Sequence, residues 1–450
     1  MKNKNSIWAI IAVFFTALTF FACQSEPASK SKKLPNIILI MADDLGYETI
    51  TANGGSSYHT PRIDALADQG MRFEHCYSQP LCTPSRVQIM TGIYNVRNYV
   101  RFGLLDPGQF TFGHLLQRAG YQTCIIGKWQ LGKQVEAPEK AGFDRHCLWQ
   151  VTEGATDDLG RDTRYSRPEL QIDGKIKTFK LSDYGPDVVS QFGMDFIESS
   201  HQANQPFFLY YPMILTHCPF SPTPDSKTWH TDSTTVMKYK GKAHYFGDMM
   251  SYTDQIIGRI QDKVSELGIE KNTLIIFTGD NGTDRPIVST LDGEAIAGAK
   301  NQSTDAGTRV PLIASWPGVI EPGSVNDNLI DFSDFFPTLA EMANIQTDSL
   351  DLDGVSFYNQ LKGKKAESRE WIYNWYSRSG EAEKARIFAR TKDYKLYTSG
   401  EFYHIPSDRL EEKPIAFDNL EADDQKVFTA LQAVLDQYQS KRLEKVKTYE

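Results

Sequence analysis

Cys82 opens the run Cys82-Thr83-Pro84-Ser85-Arg86, which continues through Val87-Gln88-Ile89-Met90 to Thr91-Gly92. Proline two residues after the cysteine suits the first turn of a helix, where its missing N–H costs nothing. At such a helix start the backbone N–H groups and the dipole favour a nearby anion. A nucleophile at position 82 would therefore face an anionic group. Four other polar clusters each follow a short apolar run: Asp43-Asp44, Gly127-Lys128-Trp129, Thr216-His217 and Asp280-Asn281-Gly282. Asp43, Asp44 and Asp280, gathered with the amide oxygen of Asn281, would repel one another without a cation. An acidic, all-oxygen set suits calcium or magnesium rather than zinc. The three carboxylates outweigh a divalent ion, so an anionic substrate needs further positive charge, for which Lys128, Lys300 and Arg86 are the candidates. A cysteine phosphatase loop, C-x-x-x-x-x-R, is excluded because Gln88 stands where its arginine belongs.

These clusters need elements that carry them to one place. The runs Asn36 to Met41, Tyr121 to Ile126, Pro206 to Tyr211, Asn272 to Thr278 and Val310 to Trp316 are continuously apolar. Such strands fit a parallel sheet covered on both faces. Ligands of open parallel sheets bind beyond the carboxyl ends of the strands, where the polar clusters lie. Thr60-Pro61 to Gly70 predicts a helix with Thr60 as N-cap and Gly70 at its end. Another helix is expected from Asp331 through Asn344. Short strands are expected at Trp371 to Tyr376, Ala385 to Thr391 and Lys395 to Thr398. A closing helix follows, with Val427, Phe428, Leu431, Val434, Leu435 and Tyr438 on one face. The fold class is α/β: a large, mostly parallel sheet between helices over residues 34–366, with a smaller C-terminal α+β subdomain over 367–450. There is no internal repeat.

The chain has 450 residues, 40% hydrophobic and 12% aromatic, which excludes a disordered protein; a polytopic membrane protein would need repeated apolar spans. A net charge of -9 argues against general affinity for nucleic acid. Met1-Lys-Asn-Lys-Asn is basic and Ile7 to Phe21 is apolar, the pattern of an export signal over residues 1–22. Cys23 follows Ala22 and precedes a polar linker, 23–33, which resembles a bacterial lipoprotein signal although Phe20 stands where leucine is usual. This predicts an exported protein, periplasmic or on the cell surface, lipid-anchored to the membrane through Cys23. The six cysteines match no zinc ribbon. Setting aside Cys23 and Cys82 leaves four, which permit two disulfides without demanding them.

The stretch from Cys82 to Gly92 resembles the sulfatase signature C-x-P-S-R-x-x-x-x-T-G, and the resemblance runs from about Pro35 to about Tyr397. It includes Asp43-Asp44, Thr60-Pro61, Gly127-Lys128-Trp129, His217 ahead of Pro219, Asp280-Asn281-Gly282, Gly298-Ala-Lys300 and Gly307-Thr-Arg309-Val310-Pro311. The family belongs to the alkaline phosphatase-like superfamily. The resemblance implies that Cys82 is converted by a formylglycine-generating or sulfatase-maturing enzyme to Cα-formylglycine, whose hydrate is the nucleophile. It further implies one calcium ion held by Asp43, Asp44, Asp280, Asn281 and the modified Cys82. Arg86 and Lys128 would hold the formylglycine and sulfate, and Lys300 and His217 would contact the ester. Asp280 would deprotonate the hydrate for in-line attack on sulfur, and His217 with Lys300 would protonate the leaving sugar oxygen.

One position departs from the family pattern. Where the family reads G-K-W-H-x-G, this chain has Gln130 in place of the histidine. Glutamine cannot act as a base, so regeneration of the aldehyde would be slower, use water or recruit another residue. Three functions compete: hydrolysis of sulfate esters on a sulfated oligo- or polysaccharide, a phosphoester or phosphonate hydrolase of the same superfamily, and a non-catalytic binder of sulfated glycan. The intact cysteine signature favours the first. Substrate contacts are expected from Gln130, Arg97, Arg285, Trp375 and Arg378. Asn98, Arg101 and His114 are further candidates, and Trp371, Tyr373 and Tyr376 could stack on sugar rings, although alternating aromatics in a strand are more often core.

Overall fold

The five continuously apolar runs all become strands of one sheet in the computed structural model, which describes residues 34–229, 240–365 and 367–442. The expected export signal, the linker and Cys23 lie outside the described residues. In chain order the large sheet uses β1 (Asn36–Ala42), β2 (Met71–Tyr77), β3 (Gln122–Lys128), β4 (Arg145–Trp149), β5 (Glu169–Ile172), β6 (Lys175–Thr178), β7 (Phe207–Pro212) and β8 (Thr273–Gly279). A hairpin, β9 (Val288–Leu291) and β10 (Glu294–Ala297), stands apart, and β11 (Arg309–Ser315) and β12 (Ser324–Asp331) return to the sheet. The order is β12-β2-β11-β8-β1-β7-β3-β4-β5-β6. Five neighbours, β8, β1, β7, β3 and β4, run parallel.

β11 reads like its neighbours in sequence but runs antiparallel between β8 and β2. Continuous apolarity reports burial on both faces and carries no information about direction. β2 escapes the apolar pattern because Arg72, Glu74 and His75 interrupt it and are only half-buried.

Both faces of the sheet are covered, and β1 divides its side chains between them. Ile37, Leu39 and Met41 enter one core with the Cys82–Thr91, Phe112–Arg118 and Phe335–Met342 helices, while Ile38, Ile40 and Ala42 enter the other with the Pro61–Asp68, Gly185–Gln202 and Phe246–Glu266 helices. The Pro61–Asp68 helix ends two residues short of Gly70, and Thr60 places its hydroxyl on Asp64 and Thr51. The expected 331–344 helix is shorter, Phe335–Met342, because Asp331 ends β12 and caps a 3-10 turn ahead of it.

β13 (Ile372–Tyr376), β14 (Arg386–Arg390), β15 (Tyr394–Tyr397) and β16 (Phe402–His404) form an antiparallel sheet in that order. Their Tyr373, Trp375, Ala389, Leu396 and Phe402 join Leu431, Val434 and Leu435 of the closing Ala422–Tyr438 helix in the first core. The C-terminal part is thus a second sheet built on the same core, and the chain from Leu34 onward packs as one unit. The five described cysteines are buried free thiols, so the two disulfides that the count permits do not form among them. Cys124 and Cys147 lie on the adjacent strands β3 and β4, but each pairs in register with another residue, Arg145 and Ile126 respectively.

Candidate active site

Register sets the centre of the site. Ala42 at the end of β1 lies beside Gly279 at the end of β8, so Asp43-Asp44 and Asp280-Asn281 leave the sheet side by side. Asp44 turns the chain with a left-handed φ of 58°, its N–H donating to Asp280 Oδ1 at 2.9 Å. Asn281 donates to Asp44 Oδ1 at 2.9 Å, which leaves its own Oδ1 buried without a partner. Asp43 Oδ1 is likewise buried and unpartnered. Ligand atoms of Asp43, Cys82 and Asp280 all lie within 4.8 Å of one another. Two orphaned acceptors beside clustered carboxylates are what a hard cation would satisfy, so the residues fit the expected ion.

Cys82 is the first residue of its helix, and two β3 features aim at it. Gly127 adopts a φ of 106°, and a Cβ there would fall 2.0 Å from the Pro212 carbonyl oxygen, so only glycine lets β3 turn this close to β7. Lys128 then reaches across to donate to Asp43 Oδ2 at 2.6 Å, with Cys82 Sγ 3.4 Å away. Arg86 points behind the cysteine rather than into the cavity. It donates to the carbonyls of Lys128, at 3.1 Å, and Trp129, with Nε 3.4 Å from the Cys82 carbonyl. Its Nη2 is buried and unpartnered. Gln130 Oε1 stands 3.7 Å from Cys82 Sγ.

Burial dominates the electrostatics. It pushes the Asp280 carboxyl well above the usual range, helped by Asp43 and Asp44, and raises Asp44 against the pull of Lys300. Burial pulls Lys128 down, but Asp43 and Cys82 outweigh it and the ammonium holds its proton more tightly than usual. Lys300, ion-paired to Asp44, is likewise raised despite desolvation. Burial also raises the Cys82 thiol, only partly countered by Lys128. An unmodified cysteine here is therefore a protonated thiol at neutral pH and a weak nucleophile. His217 is pushed far below the usual imidazole range by burial and then by Lys300, Lys128 and Arg164, so its ring is neutral at pH 7. Its Nε2 lies 3.7 Å from Asp44 Oδ2.

Several of these groups floor an open cavity of about 540 Å³, within the range of small-molecule sites. Cys82, Lys128, Gln130, His217, Lys300, Arg285 and Arg378 all line it. Two expected contacts do not. Arg97 is turned away into Asp353, at 3.0 Å, and Asp351, and Trp375 is 2% exposed, held in the core beside Tyr99 and under the Arg442 guanidinium. Among the other candidates, His114 closes a capping box with Thr111, Asn98 donates to Thr91, and Tyr373 stacks on Tyr438. Tyr376 packs against Cys82 and Leu81, and its hydroxyl bonds Asn301.

Sequence reasoning missed Arg164, Lys240, Asp284, Asn301, Gln150 and Phe102 on the cavity wall. Asp284 and Asn301 extend turns already singled out at Asn281 and Lys300, and following those turns would have found them. Arg164 sits in the irregular connection between β4 and β5, where no periodicity marks it.

A family model described as Sulfatase matches residues 35–345, and one described as N-sulphoglucosamine sulphohydrolase, C-terminal, matches residues 299–443. N-acetylgalactosamine-6-sulfatase of Mus musculus is 28% identical over 409 residues, covering 83% of this chain and 76% of its own. Arylsulfatase A of Bos taurus is 30% identical over 391 residues, covering 81% of this chain and 74% of its own. In fold, the crystal structure of Ps i-CgsB in complex with k-i-k-neocarrahexaose superposes with a TM-score of 0.75 at 23% identity, over 92% of this chain and 94% of that one.

Proposed function

Because the chain belongs to the sulfatase family and is a sulfuric ester hydrolase, we propose that it removes sulfate from a sulfated oligo- or polysaccharide, using one calcium ion and a formylglycine made from Cys82. The observation that carries the reading is the meeting of Cys82, Asp43 and Asp280 within 4.8 Å, beneath a cavity walled by Lys128, Lys300, Arg164, Lys240, Arg285 and Arg378. The raised thiol pKa at Cys82 argues against direct thiolate attack. Formylglycine, as its hydrate, would supply a nucleophilic hydroxyl, and calcium would offset the carboxylates and polarise a sulfate oxygen.

The chain's own side chains do the rest. Asp43, Asp44, Asp280 and Asn281 would hold the ion through oxygens, two of which, Asp43 Oδ1 and Asn281 Oδ1, have no other partner. Asp280, with a carboxylate oxygen within 4.8 Å of the residue-82 side chain, is placed to take a proton from the nucleophile. Lys128 and Lys300 balance the charge of an incoming sulfate. His217 and Lys300 present N–H groups where the departing sugar oxygen gathers charge. Arg86 ties the helix start to β3 and so fixes the position of residue 82. Gln130 reaches the same side as the expected base but offers only an amide.

Substrate length finds support in a second hollow of about 580 Å³, which shares Phe102, Gln130 and Gln150 with the first and adds Arg101, Lys133 and Lys140. The curated relative named for N-acetylgalactosamine 6-sulfate and the structural neighbour solved with a neocarrahexaose agree with a sugar ester. Export and a lipid anchor at Cys23 complete the proposal, supported by the leader sequence, as does maturation by a formylglycine-generating or sulfatase-maturing enzyme.

Peptide mass spectrometry across Cys82, paired with sulfate release from a panel of sulfated oligosaccharides, tests the reading. Formylglycine with sulfate release that is lost in Cys82→Ala is expected. Formylglycine with cleavage of phosphonate esters but no sulfate ester would overturn it.

A further inference from the structure

Arg164 is almost fully enclosed, its side chain 4% exposed, in the connection between β4 and β5. Asp162 holds its Nε through both carboxylate oxygens at 3.0 Å, and the Trp149 ring lies 4.2 Å beneath the guanidinium carbon. The next residue, Tyr165, donates its hydroxyl to the Ile214 carbonyl at 3.0 Å and to that of His217. Trp149 in turn donates to Thr163 at 3.0 Å. This short segment therefore grips the His217 loop through backbone and side chain together. Arg164 Nη1 lies 2.6 Å from His217 Nδ1 and 2.6 Å from the Cys218 carbonyl oxygen.

A guanidinium can only donate. Where Arg164 bonds His217 Nδ1, that nitrogen is therefore the acceptor, and the ring proton sits on Nε2. Nδ1 also lies 2.5 Å from the Cys218 carbonyl, a contact that the opposite tautomer would turn into a hydrogen bond. That tautomer would set an imidazole N–H against the Arg164 N–H. With Arg164 present, ring nitrogen and carbonyl share one donor and Nε2 keeps its hydrogen, on the side of Asp44 and the cavity.

We propose that Arg164 is a positioning residue that locks His217 as the Nε2–H tautomer, so that a neutral imidazole offers a hydrogen-bond donor to the oxygen leaving sulfur. The destination of that donor rests on the sulfatase reading above; the tautomer does not. The donor stabilises developing charge and needs no reorganisation when the ester breaks.

Long-range proton–nitrogen spectra of ¹⁵N-histidine-labelled protein at pH 7 read the tautomer directly, with the His217 signals assigned by their loss in His217→Gln. Wild-type protein is expected to show a bare Nδ1 and a protonated Nε2. Arg164→Met keeps the bulk over Trp149 but removes the donor, and is expected to move the ring proton to Nδ1, facing the Cys218 carbonyl. A protonated Nδ1 in wild type, or an unchanged ring in a folded Arg164→Met, would overturn the proposal. Because a protonated Nδ1 in wild type is enough to overturn the proposal, it stays falsifiable even where the variant fails to fold. Absence of sulfate release would instead count against the proposed function alone.

Discussion

The Lys128 ammonium and the Asp43 carboxylate form an ion pair at 2.6 Å with both side chains 2% exposed, inside a site that also holds Asp44, Asp280 and Cys82. Removing one partner of a buried pair typically costs about 3–5 kcal/mol, because the other charge is left in a poor solvent. Lys128→Met should therefore destabilise the protein by about that amount in chelator. Calcium should recover part of the loss by taking over the charge of Asp43. Urea denaturation with calcium and with chelator measures both numbers, and equal losses in the two conditions would contradict the cation-sharing account.

Asp280 presents the opposite case, a carboxylate crowded by two others and raised by burial. Asp280→Asn should raise the melting temperature in chelator, since it removes repulsion while keeping the shape. Calcium should raise the melting temperature of the wild type, and the same change should abolish that rise and lower kcat by about 10²–10⁴-fold, the usual worth of a proton-transfer group. Melting curves and sulfate-release rates on one preparation show whether stability and activity move in opposite directions.

Gln130 stands 3.7 Å from Cys82 Sγ and offers no base. Gln130→His should raise kcat, by up to about 10²-fold, and add a limb to the kcat–pH profile near the ordinary histidine range of about 6.5. An unchanged profile would mean that another group already moves this proton.

The sequence gives no reason to distinguish Arg97 from Arg378 as a substrate contact, and the structure separates them. Arg378 lines the cavity, with its guanidinium 4.9 Å from the Phe102 ring centre, whereas Arg97 binds Asp353 and Asp351 away from it. Arg378→Ala should raise KM by about tenfold, the worth of one hydrogen bond to a charged group, with little change in stability. Arg97→Ala should leave KM alone and cost about 1–3 kcal/mol. Steady-state kinetics and denaturation on the two variants distinguish a contact from a strut.

Asp331, at the end of β12, accepts from Gln88 at 2.6 Å and from the Ser333 amide at 2.9 Å. Burial raises its pKa to about 6, with Arg369 pulling down and Asp334 pushing up. A folded-state value above the unfolded one means that the native state binds the proton more tightly. The stabilising contribution is present below about pH 4 and is lost as pH rises through about 6. Asp331→Asn should flatten that part of the stability–pH curve, as read by denaturation at a series of pH values.

Much of this molecule was legible from local pattern. Apolar runs must be buried, and whatever polar residues end them must emerge at one edge of the sheet. That argument alone brought Asp43, Asp44, Lys128, His217 and Asp280 together, and the spacing from Cys82 to Gly92 identified the helix start that faces them. Direction was not legible: the Val310 to Trp316 run is apolar whichever way β11 points, and only its hydrogen bonds to β8 and β2 decide. Nor was the fate of a long charged side chain. Arg97, Arg164 and Arg378 are alike in sequence, but one braces acidic residues 254 and 256 positions away, one bonds the His217 ring from the cavity wall, and one lines the same cavity against Phe102. Composition and periodicity govern which residues leave water. Which partners they then meet depends on strand order and on loops of no repeating pattern, and those contacts exist only once the sheet has closed around them.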